Sequence, residues 1–281
     1  MLNFAMKYLK IFSLKFYGLF AVIGGLFSLS ACTYYVETLE SSVGNNYLSD
    51  FHYSKMVTQF QDAANVIFKG HSLVNGPSIT FDTSKVTKTI ILNYGDTLSM
   101  FYDGVNRRGV TSATWQGDFY APGTEILISF ENGFLCNGWY YDGTMKITYL
   151  DLNEYNQPEY LMETTGSQVI NKSTQENYNW NNVYTRTKVL GDSTMKSDDD
   201  VWSVSGTVYA RNEKGRYYNA IIKDSIYFDN RCEYGITKGR VDIAPVDDDQ
   251  RTFVYYGEVP KCDVWVTFKR GSRVVTVTKN R

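Results

Sequence analysis

Two runs of three carboxylates are the densest groups of potential metal ligands or catalytic acids in this sequence. They are Asp198–Asp200 and Asp247–Asp249. Calcium binding requires several oxygens that converge on one point, and neither run has the D-x-[DN]-x-[DN]-G spacing of an EF-hand loop. Consecutive carboxylates of this kind are typical of solvated turns, so we expect no metal site in either run.

The sequence also lacks the residue patterns of common catalytic and cofactor sites. It contains two histidines, His52 and His71, and no G-x-S-x-G, P-loop or dinucleotide-binding fingerprint. A polysaccharide hydrolase would need two carboxylates that face each other across a cleft, and the sequence singles out no such pair. We therefore expect a protein that is not an enzyme and that uses no cofactor.

Aromatic side chains are abundant, at 16% of the chain, and several stand next to one another. In a strand, neighbouring residues point to opposite faces of the sheet, so about half of these rings should face solvent. Exposed rings beside Asn or Asp would make stacking platforms for sugars, and the candidates are Trp139, Tyr141 and Trp180. Cross-strand packing is the commoner role of such rings, and it stays open as the alternative.

The N-terminal 31 residues have the pattern of a bacterial lipoprotein signal peptide. Three lysines precede a short apolar run at residues 16–27, and no acidic residue occurs before Glu37. This run has the length of a signal-peptide core and is short for a membrane span. The segment Leu29–Cys32 resembles a lipobox, in which the cysteine receives diacylglycerol on its sulfur before cleavage.

Lipidation at Cys32 would attach the mature chain to a membrane. Several acyl chains on one cysteine give stable anchoring, whereas a single chain binds only marginally. Thr33 follows the cysteine where an aspartate would indicate retention in the inner membrane, which favours the outer membrane. The leaflet that would carry the protein is not readable from the sequence.

Three further cysteines remain after Cys32: Cys136, Cys232 and Cys262. A body outside the cytoplasm can form and keep disulfides. Cys232 follows one predicted strand and Cys262 precedes another, so a hairpin could bring both to the same end of a sheet. We predict a Cys232–Cys262 disulfide and a buried, free Cys136; three reduced thiols are the alternative.

The mature chain divides into a tether, one helix and a long series of strands. Residues 32–53 are polar and predict the tether, while apolar residues at helical spacing predict a helix over 54–69, which begins at Ser54 and ends at Gly70.

From about Ser78 onward the pattern has period two, with turn residues every 8–15 positions. It predicts strands such as Val110–Trp115 and Ile126–Phe130, and hairpin loops at residues 211–216 and 269–273. Helical segments between these strands are missing from the pattern, which argues against parallel pairing.

These elements predict an all-β body, residues 54–281, with one N-terminal helix. The sheet should be an antiparallel meander, arranged as a sandwich or as a curved, partly closed, barrel-like sheet. Residues 153–182 form a polar zone that could be a linker. Because all-β units of this size commonly form one domain, we expect one body with two halves that meet in this zone.

An ordered set of short motifs links the chain to a known group of proteins. They lie at strand junctions and include Asp103-Gly104, Pro122-Gly123-Thr124, Asp142-Gly143-Thr144, Ser205-Gly206-Thr207 and Lys261-Cys262-Asp263. In this order they resemble uncharacterised lipoproteins of Bacteroidota, that is, of bacteroides- and flavobacterium-like organisms, over residues 80–281. The resemblance implies location and fold more than activity, and Cys136 departs from the pattern.

The charge balance of the chain and its resemblance to lipoproteins together favour a binding or structural role in the cell envelope. With 28 basic and 30 acidic residues, the chain lacks the basic surface that nucleic acids require. We expect a lipid-anchored protein that contacts glycan or envelope protein. The alternatives are a periplasmic lipid or lipoprotein carrier with an apolar groove and, third, a polysaccharide hydrolase.

Overall fold

The computed structural model describes most of the chain after residue 52. The described residues are 53, 55–70, 75–131, 133–191, 197–212, 214–232, 235–263 and 265–278. The predicted signal peptide and residues 32–52 of the predicted tether, including Cys32, lie outside them, whereas residue 53, predicted to end the tether, belongs to the helix.

The predicted all-β antiparallel fold is confirmed: every pairing between described strands is antiparallel, and 16 strands form one sheet. In the described part of the chain this sheet is open, with β1 and β16 at its two ends. The strands are β1 Ser78–Asp82, β2 Thr87–Asn93, β3 Ser99–Met100, β4 Asn106–Arg108, β5 Val110–Gln116, β6 Glu125–Phe130, β7 Leu135–Cys136, β8 Trp139–Leu152, β9 Pro158–Asn171, β10 Asn177–Leu190, β11 Val201–Arg211, β12 Tyr217–Asp229, β13 Ile236–Pro245, β14 Thr252–Gly257, β15 Trp265–Arg270 and β16 Arg273–Thr278.

Strand order follows sequence order almost throughout, as expected for a meander. The main path is β1-β2-β5-β6-β8-β9 and then β10 to β16 in order, while β3, β4 and β7 form a small ladder beside β8. The polar zone at residues 153–182 contains the β9–β10 hairpin, which pairs with β8 on one side and with β11 on the other. The sheet therefore continues through the zone where we expected two halves to meet.

One helix, α1, comprises residue 53 and residues 55–69, close to the predicted range. It ends at Gly70, whose φ of 73° is a left-handed conformation that favours glycine. The apolar side of α1 packs on the sheet: the ring of Tyr53 lies 6.2 Å from Phe130 and 5.5 Å from Tyr141. No helix among the described residues is long and apolar enough to cross a membrane.

We call the face of the sheet that contacts α1 the inner face and the opposite one the outer face. The central strand β10 shows the alternation most clearly, because its even-numbered residues 178–186 are buried and its odd-numbered residues are half-buried or exposed. The inner face supplies the core, where Trp180, Tyr184 and Trp202 are 2% exposed or less. The outer face carries the side chains that can meet a ligand.

Candidate functional site

Two of the three aromatic residues that we expected to face a ligand, Tyr141 and Trp180, are buried in the structure. Tyr141 is 4% exposed and Trp180 is 1% exposed, because both point to the inner face. The indole of Trp180 fits there because its cross-strand neighbours are the small residues Ser167 and Ala210. Trp139 is half-buried, and its ring packs against another ring, that of Tyr178, at 5.4 Å.

The cysteines of the body are arranged as we expected from the sequence. Cys232 and Cys262 form a disulfide, with Cα atoms 5.2 Å apart, and Cys136 is free and buried. Cys232 is buried while Cys262 is exposed, so the bond ties the β12–β13 turn to the segment before β15. Because it joins two segments that are 30 residues apart in the sequence, the bond cross-links this end of the sheet.

An elongated depression on the outer face, here called the outer groove, is the best candidate for a binding site. It crosses β9 to β13, ends near the start of β14, and has a volume of about 610 Å³. Its floor contains apolar and small side chains, and its borders are polar. The lining includes Glu163, Asn181, Val183, Thr207, Tyr209, Asn219, Ile221, Asp242, Ala244 and Arg251.

A pair of stacked tyrosines stands at the border of the outer groove. The rings of Tyr209 and Tyr217 are 5.4 Å apart and nearly parallel, at 11°, and 45% and 43% of these residues remain exposed. Tyr209 lines the groove, and Tyr217 covers one side of its ring. Stacking costs both tyrosines conformational freedom but leaves an accessible, oriented aromatic surface beside the groove.

The strand register places an asparagine on each side of Tyr209. Asn181 of β10 and Asn219 of β12 are its direct cross-strand partners. The Asn181 side chain is held in place, since its Oδ1 accepts a hydrogen bond from the Gly166 N–H at 2.6 Å. The Asn219 side chain is exposed and forms no hydrogen bond with a described residue, so its amide can meet a ligand.

A line of β-bulges bends the sheet where the groove lies. The register shifts between Trp180 and Asn182 in the β9–β10 pair, between Val204 and Thr207 in the β11–β12 pair, and again between β12 and β13. Bulges increase local twist and redirect side chains. Gly206 lies on this line with φ 136°, where its backbone passes close to Tyr184.

The polar side of α1 is buried, although an amphipathic helix usually turns this side to water. Consecutive residues 55–60 are all buried, so this part of the helix is covered on every side. Four buried polar side chains of α1 form hydrogen bonds with the surrounding strands and loops, as is usual for buried polar groups. The pairs are Lys55 with Asn230, Thr58 with Arg186, Gln59 with Asp103, and Asp62 with both Tyr102 and Ser197.

Asp62 joins two loops that are far apart in the sequence. Its carboxylate accepts hydrogen bonds from the Tyr102 hydroxyl, between β3 and β4, and from the Ser197 hydroxyl at 2.7 Å, just before β11. Burial raises the pKa of Asp62 to about 6, against the opposing effect of these two hydrogen bonds. The arrangement fixes α1 in the sheet but is closed to solvent, since Asp62 is 4% exposed.

Replacing Asp62 by asparagine should change how stability depends on pH. The pKa of an aspartate in an unfolded chain is about 3.9, so between about pH 4 and pH 6 the folded state binds the Asp62 proton more tightly. Stability from this group is therefore present at low pH and lost as pH rises through 6. Relative to Asp62→Asn, the wild type should gain roughly 1.4 kcal/mol per pKa unit of difference as pH falls.

Urea denaturation of both proteins between pH 4 and pH 7 measures this difference. Asp96→Asn, which removes an exposed carboxylate, is the matched control. Parallel curves for Asp62→Asn and the wild type over this pH range would contradict a raised pKa at Asp62.

Carboxylates of both runs are paired with cationic side chains. Within the described ranges, no group of three or more His, Cys, Asp or Glu side chains is placed to hold a metal ion. Asp247 pairs with Arg216 in an exposed turn, at 2.8 Å. Asp200 differs from the expected solvated turn: it is 2% exposed and pairs with Lys188 at 2.9 Å.

Comparison with known proteins adds no further assignment. Protein-family models, curated proteins and solved structures all gave no match for this chain. The resemblance to lipoproteins of Bacteroidota therefore stays a prediction.

Proposed function

We propose that this protein is a lipid-anchored cell-envelope protein whose body binds saccharide in the outer groove. The observation that carries this proposal is the exposed Tyr209–Tyr217 stack, with an asparagine on each side of Tyr209. Ligand sites are typically concave and combine apolar or aromatic surface with a few oriented polar groups. The outer groove has this composition.

Sugar rings suit such a surface because they are amphipathic. The C–H groups of one ring face can stack on the exposed part of Tyr209, in the way that tyrosine offers an apolar face with a polar tip. Hydroxyl groups at the ring edge would then reach the amide of Asn219 and the hydroxyl of Thr207, which both line the groove. The apolar floor at Val183 and Ile221 completes the contact.

The proposed anchor is the acylated Cys32, which would hold the body at the outer membrane. Its support is the order of positive charge, apolar run and small residues before this cysteine. In Cys32→Ser, the protein should leave the membrane fraction of cells, as an uncleaved or soluble form, while the body keeps its fold. Unchanged membrane retention, measured by fractionation and immunoblotting, would contradict lipid anchoring.

The carrier and hydrolase alternatives gain less support from the described residues. A carrier needs an unfilled apolar groove, but the part of the inner face that contacts α1 is filled, since Met56 and Phe60 of this helix are 2% exposed or less. A hydrolase would use Glu163 and Asp242, the two carboxylates of the outer groove. The register separates them by four strand spacings, about 19 Å along the sheet, against roughly 5–9.5 Å between glycosidase carboxylates.

Tyr209→Ala tests saccharide binding directly. Truncating a central aromatic contact typically costs about 2 kcal/mol, or roughly 30-fold in affinity. The full-length protein in detergent should be titrated with labelled oligosaccharides, first the wild type against a panel and then the variant against those that bind. Tyr255→Ala is the matched control, because Tyr255 is a 37% exposed tyrosine that does not line the groove.

Equal affinity of the wild type and Tyr209→Ala would place binding elsewhere. A panel of neutral, acidic and amino-sugar oligosaccharides with no binder would overturn the proposal.

A further inference from the structure

Three charged side chains line the outer groove, and two of them already have partners. Glu163 pairs with Lys146 at 2.9 Å, and Asp242 pairs with Arg240 at 3.4 Å. Both cations are shared with a second carboxylate, so these pairs form small surface networks. They polarise the groove but present no unpaired charge to a ligand.

Arg251, the third charged residue, forms no ion pair or hydrogen bond with any described residue. Two carboxylates of its own loop are engaged elsewhere, Asp247 with Arg216 and Asp248 with Arg270. Asp249 does not line the groove. The guanidinium of Arg251 is therefore the cationic group that remains available inside the groove.

The strand register places Arg251 in the same row of cross-strand neighbours as Tyr209. Tyr209 pairs with Asn219, and Asn219 pairs with Ala244. Arg251 immediately precedes Thr252, the partner of Ile243, so it continues the row opposite Ala244. Three strand spacings separate Tyr209 from Arg251, about 14 Å, and the small Ala244 leaves the space between them open.

We infer that the outer groove takes an acidic oligosaccharide, with one ring stacked on Tyr209 and the carboxylate of another ring bound by Arg251. This inference rests on the proposed function. A span of 14 Å calls for at least two linked rings, so a monosaccharide would reach one of the two groups only. Arginine suits the carboxylate of a uronic acid because its planar fork donates two parallel hydrogen bonds to it.

A charge-only comparison tests the inference on the full-length protein in detergent. The probes are a galacturonic acid trimer and its methyl ester, which has the same rings but no charge. The wild type should bind the acid at least tenfold more tightly than the ester, and the difference should shrink with added salt because charges at a surface are screened. A trimer of a neutral sugar that carries sulfate groups is the third probe. If it binds better than the galacturonic acid trimer, the assignment to a carboxylate is overturned.

Arg251→Gln should lower the affinity for the acid trimer to that for the ester, about tenfold or more, and leave the ester unchanged. Arg251→Lys should recover part of the preference, since it keeps the charge but loses the fork. Arg108→Gln, which removes a half-buried arginine of β4 that does not line the groove, is the control and should bind like the wild type.

Failure of this inference differs from failure of the proposed function. Equal binding of acid and ester by the wild type, with both lost in Tyr209→Ala, would overturn the acidic ligand and leave saccharide binding in place. If the wild type binds neither trimer and no oligosaccharide of the wider panel, the acidic ligand and saccharide binding are both overturned.

Discussion

Replacing Asp103 by alanine is expected to lower the free energy of unfolding by about 3–5 kcal/mol. Asp103 forms two hydrogen bonds with the guanidinium of Arg107, at 2.8 and 2.7 Å, and the Arg107 side chain is completely buried. Burial disfavours the charged Asp103, yet Arg107 holds the pKa of this carboxyl below its ordinary value. Without Asp103, the arginine would keep its charge in the core with no counter-charge.

Asp247→Ala is the matched control for this prediction. Asp247 also forms two hydrogen bonds with one arginine, Arg216, at 2.9 and 2.8 Å, but both side chains are about half exposed. An exposed pair contributes about 0–1 kcal/mol. Urea denaturation of the two variants should therefore separate them by at least about 2 kcal/mol.

A double variant checks the cause of the Asp103 effect. Asp103→Ala with Arg107→Met removes both charges, so it should be more stable than Asp103→Ala alone, because replacing a buried pair by apolar groups is much less costly than breaking it. A double variant that is less stable than the single one would mean that the arginine itself, rather than its lost partner, accounts for the loss.

Replacing Gly206 by alanine is expected to cost about 4 kcal/mol or more, in the range that marks a severe backbone or packing conflict. An added Cβ would collide with the carbonyl oxygen of Val183 and lie 3.0 Å from the Cα of Tyr184. Both are backbone atoms of β10 and cannot rotate away. The φ of 136° adds backbone strain, since side chains with a Cβ rarely adopt it.

Gly215→Ala separates backbone strain from collision. Gly215 also has a positive φ, 78°, but nothing lies within 4 Å of its added Cβ. Gly215→Ala should lower the free energy of unfolding by about 1 kcal/mol, which is typical when a residue with a Cβ adopts a left-handed backbone conformation. Equal losses for the two variants in thermal unfolding would contradict the close approach of β11 to β10.

Gly206→Ala should also disturb the outer groove, because Thr207, the next residue, lies on its floor. If the line of bulges shapes the groove, the folded fraction of Gly206→Ala should bind saccharide more weakly than that of Gly215→Ala. The same titration used for Tyr209→Ala measures this.

Much of the fold is predictable because its information is local. Period-two alternation predicted strands such as Val110–Gln116 and Glu125–Phe130 almost to the residue. Turn residues predicted the β11–β12 and β15–β16 hairpins. The β9 strand, Pro158–Asn171, was not predicted as one long strand, because several of its residues are polar and the segment was interpreted as part of a polar zone.

The face that each aromatic ring occupies was much harder to predict. Both Tyr217 and Tyr218 suit a strand, and the alternation alone leaves open which of the two is buried. In the structure Tyr218 is 4% exposed and Tyr217 is 43% exposed. The predicted loop at residues 211–216 was the available signal, since a hairpin with this loop puts Tyr209 and Tyr217 on one face.

By itself, the sequence determined the strand and helix content and the antiparallel meander, and it carries the pattern from which we predict a lipid anchor, because periodicity, turn chemistry and short motifs depend on near neighbours. Tertiary structure alone decided that the polar side of α1 is buried among Asp103, Arg186 and Ser197. It also decided that Tyr209, Asn219 and Arg251 share one row across the sheet. Such contacts join residues tens of positions apart, and the register of the whole sheet sets them.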